Sequence, residues 1–310
     1  MYPQNAEILQ GLYRTSFFDT FGSQQTQRYY SKLSKDIPQE ATTVTYTSFG
    51  SVPEPAQLTG TAATAGIPRA KPLNDYKLVS TVQEYKVTVP MARSVAEDNP
   101  ADAQGLVSKL GVKASYFYDR AFCAVLASST LLGYDGKVLY STTHGESGSS
   151  QDNAKTAALG PLDNVADWTT LLTTSMNALL KFTDDQGTFV NDGATRFTIL
   201  CNAGEYLACN LTVNPTFAQA PADSSGATGM FRGMFDIIPS GIVPAQTAYI
   251  FINGSDPAVG FFHKTDWDIT SNMYTDSDLW KQHNTAMFTG YARFAFYPWQ
   301  WKSTIQYVST

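Results

Sequence analysis

The chain has 310 residues, with 21 Lys and Arg against 27 Asp and Glu, a formal net charge of −6. At 43% hydrophobic and 15% charged residues it is too apolar for intrinsic disorder, and 35 threonines, with many Ser, Gln and Asn, stand where charge is usually found. The acidic balance and the absence of a Lys/Arg run exclude a dedicated nucleic-acid binder, which needs a basic stripe for phosphates.

No apolar run reaches the length of about eighteen residues that a membrane-spanning helix needs. The start, MYPQNAEILQGLYRTSFFDTF, lacks the basic residues, apolar stretch and small-residue cleavage site of a signal peptide, so a cytoplasmic product is expected. Cys123, Cys201 and Cys209 are an odd number without a CxxC and sit in apolar runs, which predicts buried free thiols. Low charge suits either a Thr-rich β protein or a subunit that buries much of its surface against copies of itself.

In chain order, Ile8, Leu9, Leu12, Tyr13, Phe17, Phe18 and Phe21 form a one-sided helical stripe over residues 4–22. This is either a helix docked on its own domain or an arm whose apolar face needs a neighbour. Residues 23–40 are polar, end at Pro38 and read as a linker. TTVTYTSF at 42–49 reads as a strand, and 76–90, where Tyr85, Val87 and Val89 alternate with Lys86 and Thr88, as a second. The Pro- and Gly-rich segment between them cannot bury a core, so the whole reads as a long hairpin projecting from the body.

Asn99 as cap and Pro100 at the first helical position open a long helix. Leu106, Leu110, Ala114, Phe117, Ala121 and Val125 give it one apolar stripe, and it is predicted to run to about Ser129, roughly 45 Å at ~1.5 Å per residue. Gly105 and Gly111 weaken its early turns. Gly133-Tyr-Asp-Gly136 marks a turn and 142–153 a polar loop. A second helix spans about 164–182, capped by Asp163 or Asn164. Then follow a strand at 196–201, a short helix at 203–211, a loop at 218–232, strands at 235–238 and 248–252, and an alternating aromatic set over 279–308 that reads as closing strands.

Catalytic constellations are sparse. Ser147 lies in Gly145-Glu-Ser-Gly-Ser149, where a nucleophile elbow would need a final Gly, so it reads as a polar loop. His144, Glu146 and Asp152 match no cation-loop pattern. Asp266 and Asp268 would share one face of a strand, but a solvated turn is the expectation. Residues 226–233 lack the Lys-Ser/Thr of a phosphate loop.

The order of parts, with three local motifs, resembles the major capsid proteins of tailed bacteriophages, specifically the Mu-like major head subunit family. The motifs are Thr45-Tyr-Thr-Ser-Phe-Gly50-Ser-Val-Pro53-Glu-Pro, Lys86-Val-Thr-Val-Pro90 leading into Arg93-Ser-Val-Ala-Glu97-Asp98-Asn99, and Gly133-Tyr-Asp-Gly136-Lys-Val-Leu-Tyr140-Ser-Thr-Thr-His144. The last is similar to the family's Tyr-Asp-Gly…Asp-x-His run, with Thr143 where the family often has an acidic residue near its His. The resemblance implies an α+β fold of the tailed-phage major capsid type, with four parts. Residues 1–40 would be an N-terminal arm and 41–90 an extended β-hairpin loop. Residues 91–160 with 276–310 would be a peripheral domain carrying the long spine helix, and 161–275 an axial domain.

It further implies a non-enzymatic shell protein that forms hexamers and pentamers of an icosahedral head, assembled in the host cytoplasm and found in the virion. The implied partners are further copies of the chain, a portal protein, a separate scaffolding protein and packaged double-stranded DNA held without sequence-specific binding, with or without a decoration protein outside; no membrane and no cofactor are implied. Candidate inter-subunit contacts are Leu12, Phe17, Phe18, Phe21, Phe49, Pro53, Leu58, Ile67 and Arg69. Lys71 and Lys77 read as ordinary exposed lysines rather than crosslinking residues. The alternatives are an encapsulin-like nanocompartment shell protein and, remotely, a soluble hydrolase using Ser147 and His144.

Overall fold

The computed structural model describes residues 3–48, 76–145, 150–185, 187–215, 230–254, 256–273, 279 and 282–310. The first half holds α1 (Pro3–Gln25), α2 (Tyr30–Leu33), β1 (Ser34–Pro38), β2 (Thr43–Ser48), β3 (Tyr76–Thr81), β4 (Gln83–Ala92), α3 (Arg93–Asp98) and α4 (Pro100–Leu126). The second holds β5 (Ala154–Ala157), α5 (Val165–Leu179), β6 (Phe197–Asn202), α6 (Tyr206–Val213), β7 (Phe235–Ser240), β8 (Thr247–Ile252), β9 (Val259–Ser271), β10 (Thr285–Pro298) and β11 (Thr304–Ser309). The chain folds as two compact units: one takes residues 1–44, 80–124 and 260–296, the other 45–79, 125–259 and 297–310. Residues 125–160 thus group with 161–259, and 260–275 with the spine helix α4.

The first unit is built on a sheet of order β1-β9-β10-β4. β10 pairs antiparallel with β4, from Thr285 opposite Ala92 to Phe294 opposite Gln83. Pro38 and Pro90 both lie on its edge strands, where a missing N–H breaks no ladder. The alternation read at 279–308 is real on β10, whose Ala286, Phe288, Ala292 and Phe294 point inward. Tyr118 and Phe122 of α4 meet them: Tyr118 lies 4.6 Å from Phe294 and 5.3 Å from Phe261, ring centre to ring centre, and Phe122 lies 6.0 Å from Phe296. Each such buried aromatic contributes about 1.5–3 kcal/mol by burial, with roughly 0.5–1.5 kcal/mol more from edge-on pairing.

Residues 23–40 are not a linker. α1 continues to Gln25, α2 follows, and β1 takes the sheet edge. Tyr29, Tyr30 and Leu33 are buried, with Tyr30 packed on Tyr118, Phe261 and Phe296. Three large apolar side chains among polar neighbours suffice to dock a segment, and average polarity hides them. The strand expected over 76–90 also divides. At Val82, 3% exposed, the backbone N–H donates to the carbonyl of Thr42 (2.9 Å), and the chain changes partner from β2 to β10.

The second unit is a sheet of order β5-β11-β8-β6-β7. β8 is antiparallel to β6 and β11, while β6–β7 and β11–β5 are parallel, so the sheet is mixed. Every residue of β8 is buried, as befits a central strand covered on both faces. α6 lies in the connection between parallel β6 and β7, and α5 packs beside α6 and β11. Asn164 caps α5, its Oδ1 accepting the Asp167 N–H at 2.9 Å, and Trp168, Leu171, Leu172 and Leu179 are its buried face. All three cysteines are buried free thiols. β5 and the long β9 were not foreseen. Both carry polar residues at positions where only the strand partner makes a pleated conformation worthwhile.

Candidate functional site: the arm, the hairpin root and the His144 turn

α1 docks on its own unit. Tyr13, Phe17 and Phe21 are 1%, 0% and 4% exposed, and the Tyr13 hydroxyl donates to the carbonyl of Ala96 at 2.9 Å. The helix approaches α4 at Gly111, where a Cβ would lie 2.9 Å from the Phe17 carbonyl oxygen and 3.3 Å from the Phe21 nitrogen. The glycine that weakens α4 locally is what admits α1. Of the candidate contact residues on this helix, Phe17 and Phe21 therefore serve the chain's own core. Leu12 is 42% exposed and Phe18 half-buried under Arg14, whose guanidinium lies 5.6 Å from the ring centre. Ile8, at 67% exposed, extends the same outer edge. Phe49, Pro53, Leu58, Ile67 and Arg69 lie outside the described residues.

β2 and β3 pair as a two-stranded sheet, the base of the expected hairpin. Its root is fastened by a buried polar knot that sequence reading missed. Gln39 and Ser80 are 4% and 0% exposed. Gln39 Nε2 donates to the carbonyls of Ala41 (2.8 Å) and Thr42 (3.2 Å), and its Oε1 accepts the Ser80 hydroxyl (2.8 Å). The Gln39 N–H donates to the His263 carbonyl at 2.8 Å, and Arg293 Nη2 donates to Thr42 Oγ1 at 2.8 Å. A buried amide with every donor and acceptor engaged fixes one geometry, because any slip leaves it unsatisfied. A lone Gln beside Pro38 carries no local signal of this; its partners Ser80 and His263 are distant in sequence.

Asp266 and Asp268 lie on β9, not in a solvated turn. Asp266 accepts from the Tyr118 hydroxyl and Asp268 pairs with Arg14 at 3.1 Å, so the two carboxylates on one strand face receive groups from α4 and α1. Nearby, Asp119 is buried, accepts the Tyr30 N–H at 3.1 Å and stands 3.7 Å from Arg28. Burial raises its carboxyl pKa to about 6, the Tyr30 N–H and Arg28 only partly opposing this.

The Tyr-Asp-Gly…His motif folds as a sealed turn in the second unit. His144 is fully buried, its ring stacked on Trp301 at 4.2 Å and 4°. Nδ1 lies 2.6 Å from Asp135 Oδ2 and Nε2 lies 3.1 Å from Asn153 Oδ1. Asn153 Nδ2 donates to the carbonyls of Leu139 and Trp301, which sets its orientation, and its Oδ1 also accepts the Ser141 N–H. Both imidazole nitrogens are thus engaged in structural bonds, and no lone pair faces solvent. His144 cannot act as the base that a hydrolase using Ser147 needs, nor as a metal ligand; Ser147 and Glu146 lie outside the described residues. Asp152 is engaged by the Ala154 N–H and Lys155. Among the described residues no three His, Cys, Asp or Glu side chains are placed to hold a metal ion, and no helix is long and apolar enough to cross a membrane.

Several capsid structures share this fold. The mature capsid of bacteriophage PhiM1 superposes with a TM-score of 0.60 at 12% identity, covering 91% of this chain and 87% of that one. The procapsid of bacteriophage JBD30 gives 0.53 at 15% identity, covering 100% and 77%. A virus-like particle from Pyrococcus furiosus gives 0.57 at 10% identity, covering 95% and 99%. No match was found among curated proteins. The sequence model of one family, the Mu-like prophage major head subunit gpT, matches residues 7–180, which span α1, the hairpin base, α4, the His144 turn and α5. The fold is therefore that of tailed-phage capsid subunits, and the chain belongs to the Mu-like prophage major head subunit family, a major capsid protein rather than an enzyme.

Proposed function

We propose that this capsid protein assembles into hexamers and pentamers of an icosahedral head around double-stranded DNA, and that residues 41–90 form a hairpin lying over a neighbouring subunit. The observation that carries the reading is the family match over residues 7–180, joined to a hairpin base anchored by Gln39 and Ser80. A knot of this kind fixes the chain where the two strands begin without needing a core in the hairpin. A hairpin lent to a neighbour adds contact area and backbone pairing to an interface, and one contact repeated under symmetry closes a shell.

In this reading residues 1–40 are the arm, 91–160 with 276–310 the peripheral domain and 161–275 the axial domain. Leu12 and Phe18 on α1, and Phe49, Pro53, Leu58, Ile67 and Arg69 in the hairpin, touch other copies. A portal and a separate scaffolding protein are the expected partners. The net charge of −6 suits a container that must release its DNA, since few cations hold phosphate. The Pyrococcus furiosus particle shares the fold alone, and the family match favours a phage head over a nanocompartment.

Electron microscopy of the purified protein tests the reading: shells tens of nanometres across are expected. Deletion of residues 50–75 is expected to leave folded subunits that form no stable particles. Wild-type protein that stays monomeric at every concentration, or a deletion that assembles normally, refutes it.

A further inference from the structure

Within the first unit, β4, β9 and α4 enclose a groove of about 420 Å³. Tyr85, Phe117 and Trp267 wall it, with ring centres 4.9 Å apart for Tyr85–Phe117 and 6.3 Å for Phe117–Trp267. Val87 and Tyr116 are partly exposed at its rim. Lys86, Lys113 and Arg120 also line it, and no carboxylate does. All three cations are exposed, and among the described residues none has an ion pair or hydrogen bond. The Trp267 indole N–H is buried without an acceptor. In a chain of net charge −6, a slot with three unpaired cations and aromatic walls is built for a carboxylate-bearing, aromatic-rich occupant.

We propose that the occupant is the segment Tyr274-Thr-Asp-Ser-Asp278-Leu-Trp280 of a second copy of this chain. It sets two carboxylates, Asp276 and Asp278, between Tyr274 and the pair Leu279-Trp280, with Lys281 following. Leu279 is 41% exposed; residues 274–278, 280 and 281 lie outside the described residues. The backbone of the segment falls short of the far wall of its own groove. It leaves β9 after Asn272, whose N–H donates to the Met287 carbonyl at 3.2 Å, whereas Val87 and Tyr85 stand opposite Gly290 and Ala292. From Met287 that is three and five residues further along the ladder, roughly 10–17 Å at ~3.3 Å per residue. The stretch from Met273 to Gln282, held at both ends, can turn back only about half its contour, roughly 15 Å. Leu279 sits nearer its anchor still, since the His283 N–H donates to the Leu279 carbonyl at 3.2 Å.

This inference rests on the shell reading and names one contact within it. The test uses full-length chains carrying Lys113→Glu with Arg120→Glu, Asp276→Lys with Asp278→Lys, and all four together. Particle yield is read by sedimentation and electron microscopy. A carbodiimide crosslinks mixed isotope-labelled wild-type subunits, so that links between copies are identified by mass. Each double reversal is expected to lower particle yield about tenfold or more, and the fourfold variant to recover most of it, an outcome that loss of folding cannot produce. Crosslinks between copies are expected from Lys86 or Lys113 to Asp276 or Asp278. Wild-type particles with double reversals that assemble as well as wild type, a fourfold variant that recovers nothing, or crosslinks from Lys113 to residues 49–75 instead, overturn the inference alone. Absence of wild-type particles overturns the shell reading and this contact with it.

Discussion

Gly105 and Gly111 sit on the same helix, and Ala in their place separates local from tertiary effects. A Cβ at Gly105 meets nothing within 4 Å, so Gly105→Ala is expected to stabilise the unassembled subunit by about 0.5–1 kcal/mol, the helix propensity difference. At Gly111 the same methyl would stand 2.9 Å from the Phe17 carbonyl oxygen and 3.3 Å from the Phe21 nitrogen, both backbone atoms that no side-chain rotation can move aside. α1 would have to back away by several tenths of an ångström, loosening Phe17 and Phe21, at an overpacking cost of about 1–3 kcal/mol. Set against the propensity gain, Gly111→Ala is expected to come out neutral to about 2 kcal/mol less stable. Urea unfolding midpoints at a concentration below assembly read both effects, and limited proteolysis within α1 reads its release. If Gly111→Ala stabilises as much as Gly105→Ala and leaves α1 protected, the docking of α1 on α4 is wrong.

Gln39→Ala should destabilise the first unit by about 1–3 kcal/mol, because it strands the buried Ser80 hydroxyl; urea midpoints read this, and an unchanged midpoint counts against the knot. Asp119 makes stability pH-dependent. Its folded pKa of about 6 exceeds the unfolded value of about 4, so the folded chain binds the proton more tightly and stability falls as pH rises through that window. Asp119→Asn should abolish that slope, worth about 1–3 kcal/mol after allowance for solvent screening, and parallel pH curves for the two proteins would contradict it. Burial pushes the Cys123 thiol up to about 11, and the Cys201 hydrogen bond with burial raises Cys209, so native protein should resist a thiol reagent that labels all three cysteines in denaturant. Rapid native labelling of any of them would show that its unit opens.

Features set by near neighbours were legible from the chain alone. The apolar stripe of α4, its start at Pro100, the Asn164 cap of α5 and the apolar runs of β6 and β8 each arise within a few turns or pleats. The Tyr-Asp-Gly…His run was one of three motifs that carried the family resemblance, and the structure gives it a physical role as the Asp135–His144 pair. Pairing between distant strands, and the choice between a free and a docked α1, required the tertiary structure. Nothing local tells Val82 to change partners, Asp266 and Asp268 to enter a strand, or Gln39 to meet Ser80. A helix closes its hydrogen bonds within one turn and so writes itself into adjacent residues. A strand, an edge or a buried amide is satisfied only by residues far along the chain, and which of them arrives is decided when the core forms.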